Sequence, residues 1–403
     1  MIIGIDASRA NRALRTGTEW YSFYIIQHLA AIDRENQYIL YLDKEPASDL
    51  AAAVASYPNF RFQLLNWPWR YFWTLGRLSW EMLVRRPDVL FVPAHSLPLI
   101  HPRRMVNTIH DIAFIRERGV YQKRTVRSEN KRSKAFLNLL VRFATRGHYE
   151  SNSLDYLTWS TAYALKHAQK IIAVSNFTKK EILDVYSNRY ASKIEVVHNG
   201  YPHDLYFPIE DSPDRKHILE KYGLDQPYFL YVGRLEKKKN TPSLVEAFSM
   251  FKESHPQAEV KLVLIGNAGF GYDEVKYIIE EYNLSRSVLM PGWVIEEDLP
   301  AIFSGALAFV FPTLHEGFGI PVLQAMACGV PVLISDLPVL EEIAGEAALT
   351  FNPRDKVSIA NALSDIFSNQ ELRLSLKIKG LAQAKQFSWE QSAKETLKVL
   401  TGK

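Results

Sequence analysis

The sequence predicts an α/β protein made of two doubly wound domains, each with a parallel sheet covered by helices. Short, continuous apolar runs alternate with helical patterns along the chain, which is typical of parallel strands buried on both faces. A segment rich in Pro, Gly and Asp, residues 198–226, interrupts this alternation, and the same pattern restarts after it. The length of 403 residues suits two or three domains of about 150 residues each.

The first half opens with a strand and a helix. Met1–Asp6 is a nearly continuous apolar run, and the helix that follows a polar loop has one side formed by Tyr21, Tyr24, Ile25, His28, Leu29 and Ile32. Later apolar runs predict further strands of the same sheet at Tyr38–Leu42, Val89–Val92, Met105–Ile109, Lys170–Val174 and Ile194–Val197.

The second half repeats the scheme. Its predicted strands are Tyr228–Val232, Val260–Ile265, Val288–Met290, Ala308–Phe311 and Val330–Ile334, with helices at Thr241–Lys252, Tyr272–Tyr282, Leu299–Ser304 and Pro321–Cys328. Ligands of doubly wound sheets bind at the carboxyl ends of the strands, and clefts between domains are frequent ligand sites. We therefore expect the functional site at the strand ends, in a cleft between two facing domains.

Composition excludes several classes of protein. Hydrophobic residues make up 47% of the chain, which excludes chain-wide disorder. The single cysteine, Cys328, excludes a disulfide framework or cysteine-rich zinc site and is typical of a reducing compartment. The N-terminus does not have the pattern of a signal peptide, and the apolar stretch Leu299–Leu314 is interrupted by Pro and Gly and is shorter than the ~18 residues of a spanning helix. These features predict a cytoplasmic protein.

A basic loop follows the first strand of the second half. It reads Tyr231-Val-Gly-Arg-Leu-Glu-Lys-Lys-Lys-Asn240, and a helix begins behind it, with Thr241 predicted as its N-cap and Pro242 at the first helical position. Arg234 and Lys239 can converge on an anion there, because a helix N-terminus offers free N–H groups and a favourable dipole. A solvated basic loop is the alternative interpretation.

A second strand-to-helix junction reads Pro312-Thr-Leu-His-Glu-Gly-Phe-Gly-Ile-Pro321. Gly317 and Gly319 allow a ligand to approach the backbone, whose N–H groups can bind a diphosphate. Glu316 precedes the helix in the loop, and Gln324 lies near the first helical turn. A tight turn without a ligand is the alternative, but two phosphate-compatible junctions in one domain favour a phosphate site.

The first domain has a comparable junction, Arg15-Thr-Gly-Thr-Glu19, before its first helix. Gly17 can let the backbone approach a ligand from the opposite wall of a cleft. An N-cap turn centred on Thr18 is the alternative.

Several common catalytic motifs are absent from the sequence. Gly266-Asn-Ala-Gly-Phe-Gly271 has the wrong order of glycines for the dinucleotide fingerprint. The chain also contains no P-loop, no H-E-x-x-H zinc motif and no G-x-S-x-G nucleophile elbow.

A combination of segments resembles one known family. The clearest are Glu316-Gly-Phe-Gly-Ile-Pro321, Ala325-Met-Ala-Cys-Gly-Val-Pro331, Val232-Gly-Arg-Leu-Glu236 with Lys239-Asn240, and His110-Asp-Ile112. Together they resemble glycosyltransferase family 4, whose members are retaining enzymes of the GT-B fold, and within it the bacterial mannosyltransferases. The resemblance implies two facing Rossmann-like domains, 1–200 on the acceptor side and 201–385 for the nucleotide sugar, with a helix in 386–403 that returns to the first domain.

The resemblance also implies roles for individual positions. Arg234 and Lys239 would bind the donor diphosphate and stabilise its departing charge, Glu316 would hold a hydroxyl of the donor sugar, and His110 would lie near that sugar. The other implied donor-binding positions are Gly17 and Thr18, Gly233, the base-contacting segment Gly292, Trp293 and Val294, the phosphate- or sugar-binding loop Gly317, Phe318, Gly319 and Ile320, and Gln324.

Gln324 departs from the family pattern, which has a second Glu at this position that typically bonds the ribose hydroxyls. A Gln side chain can accept one hydrogen bond and donate another. The loss of charge assistance is worth roughly 1 kcal/mol, or about a fivefold change in affinity. We therefore predict weaker ribose binding rather than inactivity.

The predicted function is retaining transfer of a sugar, mannose-like by resemblance, from a nucleotide-diphosphate sugar to a hydroxyl of a glycan or lipid-linked acceptor, in polysaccharide or glycolipid synthesis. No Asp-x-Asp metal signal stands out, so we expect no cofactor and metal-independent activity. The alternative is a catalytically weak nucleotide-sugar-binding protein of the same fold. Nucleic-acid binding is disfavoured because the chain contains no recognised module for it.

One strongly basic stretch suggests a membrane partner. Arg116–Arg146 holds ten Lys or Arg against two Glu, a net charge of +8, within a chain whose total is +4. Phe136, Leu139, Leu140 and Phe143 form one face of a predicted basic amphipathic helix, which can lie on an anionic membrane. This favours a peripheral location on the inner face of the cytoplasmic membrane; the alternative is that the apolar stripe packs on the first sheet.

A cluster of tryptophans, Trp67, Trp69, Trp73 and Trp80, precedes the strand at Val89. These side chains can stack on sugar rings, or they can pack in the core and in loops without contacting a ligand.

Overall fold

The computed structural model describes residues 1–67, 73–116 and 153–402. The chain forms two compact units: a first unit of Met1–Asn199 with Trp389–Lys403, and a second unit of Gly200–Ser388. The basic stretch after Arg116 and Trp69 lie outside the described residues.

The first unit contains a parallel sheet with the strand order β3-β2-β1-β4-β5-β6-β7. The order reverses between β1 and β4, which pair in parallel. Residues of β4 are buried throughout, as expected for a central strand covered on both faces. The strands are β1 Ile2–Asp6, β2 Gln37–Leu42, β3 Phe60–Leu64, β4 Val89–Val92, β5 Arg104–Ile109, β6 Lys170–Ala173 and β7 Ile194–Val196.

Helices flank this sheet. The first helix buries Tyr21, Ile25 and Leu29, and the Tyr21 hydroxyl shares a 2.9 Å hydrogen bond with Thr108 Oγ1 on β5. A π-helical segment, Trp73–Leu78, leads directly into the third helix. The helices are α1 Gly17–Ile32, α2 Ser48–Val54, α3 Ser79–Val84, α4 Ala113–Arg116, α5 Ser153–His167 and α6 Asn176–Tyr186.

The second unit contains a parallel sheet with the order β10-β9-β8-β11-β12-β13. Its strands are β8 Tyr228–Val232, β9 Lys261–Ile265, β10 Val288–Gly292, β11 Ala308–Phe311, β12 Val332–Ser335 and β13 Ala348–Phe351. Its helices are α7 Pro213–Lys221, α8 Thr241–Ser254, α9 Tyr272–Glu281, α10 Leu299–Gly305, α11 Ile320–Ala327, α12 Pro338–Ala344, α13 Lys356–Ser368 and α14 Gln370–Ala384.

The final helix, α15 Trp389–Thr401, belongs to the first unit. Trp389 is buried and stacks on Tyr24 of α1, with ring centroids 5.4 Å apart. At the other end of α15, Arg104 Nη2 donates hydrogen bonds to the carbonyl oxygens of Leu400 and Thr401 at 3.1 and 3.0 Å. A cation at a helix C-terminus also complements the helix dipole.

The predicted doubly wound α/β class is confirmed, and three local predictions are wrong. Two edge strands, β3 and β13, were not predicted because their residues are mostly exposed or half-buried and lack a continuous apolar run. The predicted linker 198–226 contains α7, whose N-cap Ser212 accepts a 3.3 Å hydrogen bond from Arg215 N. The N-cap of α8 is Asn240 in the left-handed region (φ 57°), so Thr241 is already helical.

Within the described residues, no helix is both long and apolar enough to cross a membrane.

Candidate functional site

The two phosphate-compatible loops of the second unit lie side by side at one point of its sheet. They follow β8 and β11, which pair in parallel and are the strands between which the order reverses. In doubly wound sheets this switch point leaves a crevice at the carboxyl ends of the strands, where ligands bind. The strand order therefore brings together two junctions that are far apart in the sequence.

An ion pair joins the two loops. The Lys239 ammonium contacts the Glu316 carboxylate across 77 positions of sequence, and the two side chains are 18% and 13% exposed. Lys239 Nζ also lies 5.3 Å from the ring centroid of Phe311, the last residue of β11. The structure thus brings together two residues that the sequence analysis had assigned separately to phosphate and to sugar.

Hydrogen bonds to backbone carbonyl oxygens also fix these loops. Leu314 N donates a 3.0 Å hydrogen bond to the Lys238 carbonyl oxygen, and Thr313 Oγ1 donates to that oxygen at 3.3 Å. The Tyr231 hydroxyl donates to the Arg234 carbonyl oxygen at 2.9 Å. Burial, with the nearby Glu316 carboxylate as a further cause, raises the pKa of Tyr231 well above its ordinary value, so the hydroxyl stays protonated and remains a donor.

Arg234 is an accessible cation of this loop. Its side chain is 50% exposed, and its Nε lies 3.7 Å from a carboxylate oxygen of Glu236, which is buried. At that distance the interaction is a loose ion pair rather than a hydrogen bond. The guanidinium therefore lies near the end of β8, and its exposed part is accessible to an anion.

A third loop, residues 266–271 after β9, braces the basic loop from the other side. Leu235 N donates to Asn267 O at 3.0 Å, and Gly269 N donates back to Leu235 O at 2.9 Å. Gly266 has a positive φ of 138°, and a Cβ on it would overlap the carbonyl oxygen of Gly233. This supporting role was not predicted from the sequence, although three glycines within six residues after a strand are a signal for it.

The loop from Gly317 to Ile320 leads into α11. Gly319 precedes the helix with φ 103°, a conformation that favours glycine, and a Cβ there would lie 2.9 Å from Leu340 Cδ2. Phe318 is buried and meets Phe387 edge to face, with centroids 5.9 Å apart. This packing fixes the backbone N–H groups at the start of the helix. Gln324 is half-buried, one turn further along α11.

The predicted base-contacting segment lies at the end of β10. The Gly292 carbonyl oxygen accepts a 2.9 Å hydrogen bond from Gly266 N, which links this segment to the bracing loop. Gly292 has φ 81°, and the space where its Cβ would be is open. Val294 is buried, whereas the Trp293 side chain is 45% exposed.

His110 lies directly after β5 in the first unit. Its Nε2 is 3.2 Å from the Pro93 carbonyl oxygen, and its ring meets the Tyr21 ring edge to face at 4.8 Å. Burial, and secondarily the neighbouring His95, lowers the pKa of His110 to about 4, so the ring is neutral near pH 7. A carbonyl oxygen accepts only, so Nε2 carries the proton and Nδ1 is left as an acceptor.

Gly17 and Thr18 are the first two residues of α1. The N-cap is Thr16, which forms a capping box with Glu19, so the turn is centred on Thr16 and not on Thr18 as the alternative supposed. Gly17 is exposed, and nothing lies within 4 Å of where its Cβ would be. Of the predicted site residues, His110, Gly17 and Thr18 thus belong to the first unit and the others to the second.

Among the described residues, no group of three or more His, Cys, Asp or Glu side chains is arranged to hold a metal ion.

Comparison with known families covers most of the chain. Residues 15–205 match the model described as Glycosyltransferase Family 4, and residues 214–383 match the model described as Glycosyl transferases group 1. Arg234, Lys239 and Glu316 lie within the second match, and His110 and Gly17 lie within the first.

Two curated relatives are bacterial mannosyltransferases. The chain is 31% identical over 325 residues to the O-antigen chain mannosyltransferase B of Escherichia coli, covering 80% of this chain and 82% of that protein. It is 30% identical over 233 residues to the serotype-specific mannosyltransferase WbdA of Escherichia coli, but these cover 57% of this chain and only 28% of WbdA.

Two solved structures share the fold. The sucrose-phosphate synthase of Thermosynechococcus elongatus has a TM-score of 0.72 at 19% identity, covering 100% of this chain and 98% of its own. HepE of Anabaena in complex with UDP-glucose has a TM-score of 0.70 at 17% identity, covering 100% and 99%. At these identities the similarity identifies the architecture, which is the GT-B fold.

Proposed function

The chain belongs to glycosyltransferase family 4, and we propose that it transfers mannose, with retention of configuration, from a nucleotide-diphosphate sugar to an acceptor hydroxyl. Membership makes it a glycosyltransferase; the sugar and the stereochemistry are the proposed parts. The similarity to mannosyltransferase B over most of both chains favours mannose. The observation that carries the site is the contact between Lys239 and Glu316 at the switch point of the second sheet.

In this proposal Arg234 and Lys239 bind the diphosphate. As the glycosidic bond breaks, the anomeric carbon gains positive charge and the diphosphate gains negative charge. Preorganised cations stabilise the departing charge most effectively, because they need little reorganisation during the reaction. Arg234 can bind two phosphate oxygens through its planar fork, and Lys239 supplies a point charge.

Glu316 binds the donor sugar. An acceptor-only carboxylate can take hydrogen bonds from two sugar hydroxyls, and its contact with Lys239 supports a position of those hydroxyls beside the diphosphate. Because the same ammonium serves the carboxylate and the phosphate, sugar and diphosphate binding are coupled at one residue.

Backbone groups complete the proposed donor site. The N–H groups from Gly317 to Ile320 bind phosphate or sugar at the start of α11, where the dipole favours negative charge. The segment from Gly292 to Val294 contacts the base, with Gly233 supporting Arg234. Gln324 bonds the ribose with neutral hydrogen bonds in place of charge-assisted ones.

His110, Gly17 and Thr18 are the proposed contributions of the first unit. A neutral His110 whose Nε2 is engaged by Pro93 presents Nδ1 as an acceptor, which suits a sugar hydroxyl that donates. Gly17 and Thr18 bind near the diphosphate, where the exposed start of α1 offers backbone N–H groups.

We further propose that no enzyme nucleophile and no metal takes part. A phosphate oxygen of the donor accepts the proton of the acceptor hydroxyl as the new glycosidic bond forms on the same face. Arg234 and Lys239 stabilise the negative charge of the leaving diphosphate. Transfer is therefore expected to persist in the presence of a chelator.

The acceptor is a growing glycan or a lipid-linked sugar, in polysaccharide or glycolipid synthesis. Such an acceptor places the enzyme in the cytoplasm, peripherally on the inner face of the cytoplasmic membrane. The basic stretch 116–146 is one proposed contact with anionic lipid.

The experiment is a thermal-unfolding screen against nucleotide-diphosphate sugars in which base and sugar vary independently. A mannose donor at about 100 times its Kd should stabilise the protein by about 2.7 kcal/mol, a rise in Tm of several degrees. Release of the nucleoside diphosphate in the presence of a mannose-terminated acceptor should follow with the same donor. Stabilisation by a different sugar would overturn the mannose assignment, and binding without turnover would show a catalytically weak protein.

A further inference from the structure

A short helix in the first unit turns its apolar side toward solvent. On α3, Trp80, Leu83 and Val84 are 62%, 50% and 60% exposed, and their spacing of three and four residues places them on one face. The other side of α3 is anchored, because Ser79 and Met82 are buried. An amphipathic surface helix normally buries its apolar stripe, so the orientation of α3 is unusual.

A neighbouring loop extends this surface. Leu99 and Ile100 are exposed, and their backbone N–H groups donate to Ser79 Oγ at 2.8 and 3.5 Å. These bonds fix the loop beside the start of α3. We call the five exposed residues the apolar face; they are Trp80, Leu83, Val84, Leu99 and Ile100.

A row of rings on α5 borders the apolar face. Trp159, Tyr163 and His167 stack on one another along the helix, with centroids 5.3 and 4.1 Å apart. The Tyr163 hydroxyl donates to the Leu99 carbonyl oxygen at 3.2 Å, which ties the row to the face. Tyr and Trp side chains, apolar at one end and polar at the other, are enriched where membranes meet water.

Exposed arginines flank the apolar face in sequence. Arg85 and Arg86 follow α3 directly, and Arg103 comes three residues after Ile100. Apolar side chains beside arginines match a lipid surface with anionic headgroups, where apolar burial and phosphate contacts add together. Pairing with a second copy of the chain is less favourable, because a two-fold interface brings the same patch against itself and hence arginine against arginine.

We propose that the apolar face docks the first unit onto an anionic lipid bilayer. Trp80, Leu83 and Val84 enter the boundary between headgroups and acyl chains, and Arg85 and Arg103 contact lipid phosphate. This inference rests on the proposed function in so far as a lipid-linked acceptor requires the enzyme at a membrane. It adds a membrane contact formed by residues other than the basic stretch 116–146.

The first test measures the polarity around α3 by fluorescence. Leu83→Cys introduces one reactive thiol, because the chain's single cysteine is buried and burial raises the pKa of its thiol. An environment-sensitive dye on this thiol should shift to the blue with vesicles of phosphatidylcholine containing about a third phosphatidylglycerol, and much less without the anionic lipid. Leu374→Cys is the matched control, since Leu374 is also a leucine and is 53% exposed against 50% for Leu83, but lies on α14 of the second unit.

The second test measures binding by vesicle sedimentation. Trp80→Ser with Leu83→Ser should weaken binding to the same vesicles at least about tenfold, whereas Leu374→Ser with Ile378→Ser should leave it unchanged. Because all four side chains are exposed, neither pair should alter the thermal unfolding. Arg85→Gln with Arg103→Gln should weaken binding and reduce its dependence on salt.

Three outcomes would overturn the proposal. They are no binding to anionic vesicles, equal binding by the α3 variant and its control, and a dimer in sedimentation velocity that the α3 variant dissociates. Donor stabilisation is measured on the same variants without vesicles. A protein that binds donor but no vesicles refutes only the docking surface, and one that binds vesicles but no donor refutes only the proposed function.

Discussion

Separating the two partners of the Lys239–Glu316 ion pair tests whether the pair serves catalysis or only holds the loops together. The perturbation is Lys239→Met, Glu316→Gln and their combination. Both partners are mostly buried, at 18% and 13% exposed. Removing one partner of a fully buried pair costs about 3–5 kcal/mol, and some solvent access at this site brings our expectation to about 2 kcal/mol for Lys239→Met.

The combined variant separates stability from activity. With both charges removed, the buried pair becomes a neutral contact, and most of the lost stability should return. In the second unit of nearly 200 residues, about 2 kcal/mol corresponds to a fall in Tm of about 6 °C, which the combined variant should largely reverse. Turnover should not return, because each residue is assigned its own contact with donor, and losing a charge-stabilising group costs about 10²–10³ in kcat.

The assay is thermal unfolding alongside donor turnover at saturating acceptor. Lys356 and Glu246 supply the matched control, since they form a more exposed pair at 2.6 Å. Lys356→Met should change Tm by a degree or so and leave kcat unaltered. Recovery of turnover in the combined variant would refute the catalytic assignment and leave the pair a purely structural link.

Four further predictions concern single positions. Arg234→Ala should lower kcat about 10²–10³-fold with little change in Tm, because the side chain is half exposed; near-normal turnover would remove it from the site. Gln324→Glu should raise donor affinity by about fivefold, and a fall in affinity measured by titration would show that it does not bond the ribose. The folded His110 has a pKa of about 4 against an ordinary 6.5, so between these values the unfolded chain binds more protons and the free energy of unfolding rises as the pH rises. This contribution of His110 to the pH dependence of the free energy of unfolding, up to about 3 kcal/mol, should vanish in His110→Gln. Identical pH profiles of unfolding for the variant and the unchanged protein would contradict the prediction. Gly266→Ala should destabilise the second unit and impair donor binding, since a Cβ there overlaps backbone, whereas Gly17→Ala has open space and should leave Tm unchanged.

The central strands could be predicted from sequence because burial on both faces makes them continuous apolar runs. β8 and β11 have the predicted bounds. The edge strands β3 and β13 have no such signal, because most of their residues are half-buried or exposed and do not form a continuous apolar run. The cap of α8 was misplaced for a different reason: Asn240 adopts a left-handed conformation, one that Asn tolerates unusually well but that residue preferences do not require.

The sequence names the residues of the candidate site but does not show how they are arranged. Loop chemistry pointed to Arg234, Lys239 and Glu316 one by one. The two loops lie side by side because β8 pairs with β11, a strand far from it in the sequence. No local pattern encodes that pairing, since it depends on the order in which the whole sheet assembles.

Hydrogen bonds and an ion pair hold the basic loop of the second unit in place. Hydrogen bonds from the loop after β9, at Leu235 and Gly269, fix the backbone on one side, and the contact with Glu316 neutralises Lys239 on the other. In the proposed donor site these groups are positioned before the diphosphate binds, which is the condition under which such groups stabilise a departing charge rather than only attract a substrate. It follows that loosening the brace at Gly266 should reduce kcat more than it weakens ground-state binding of the nucleoside diphosphate.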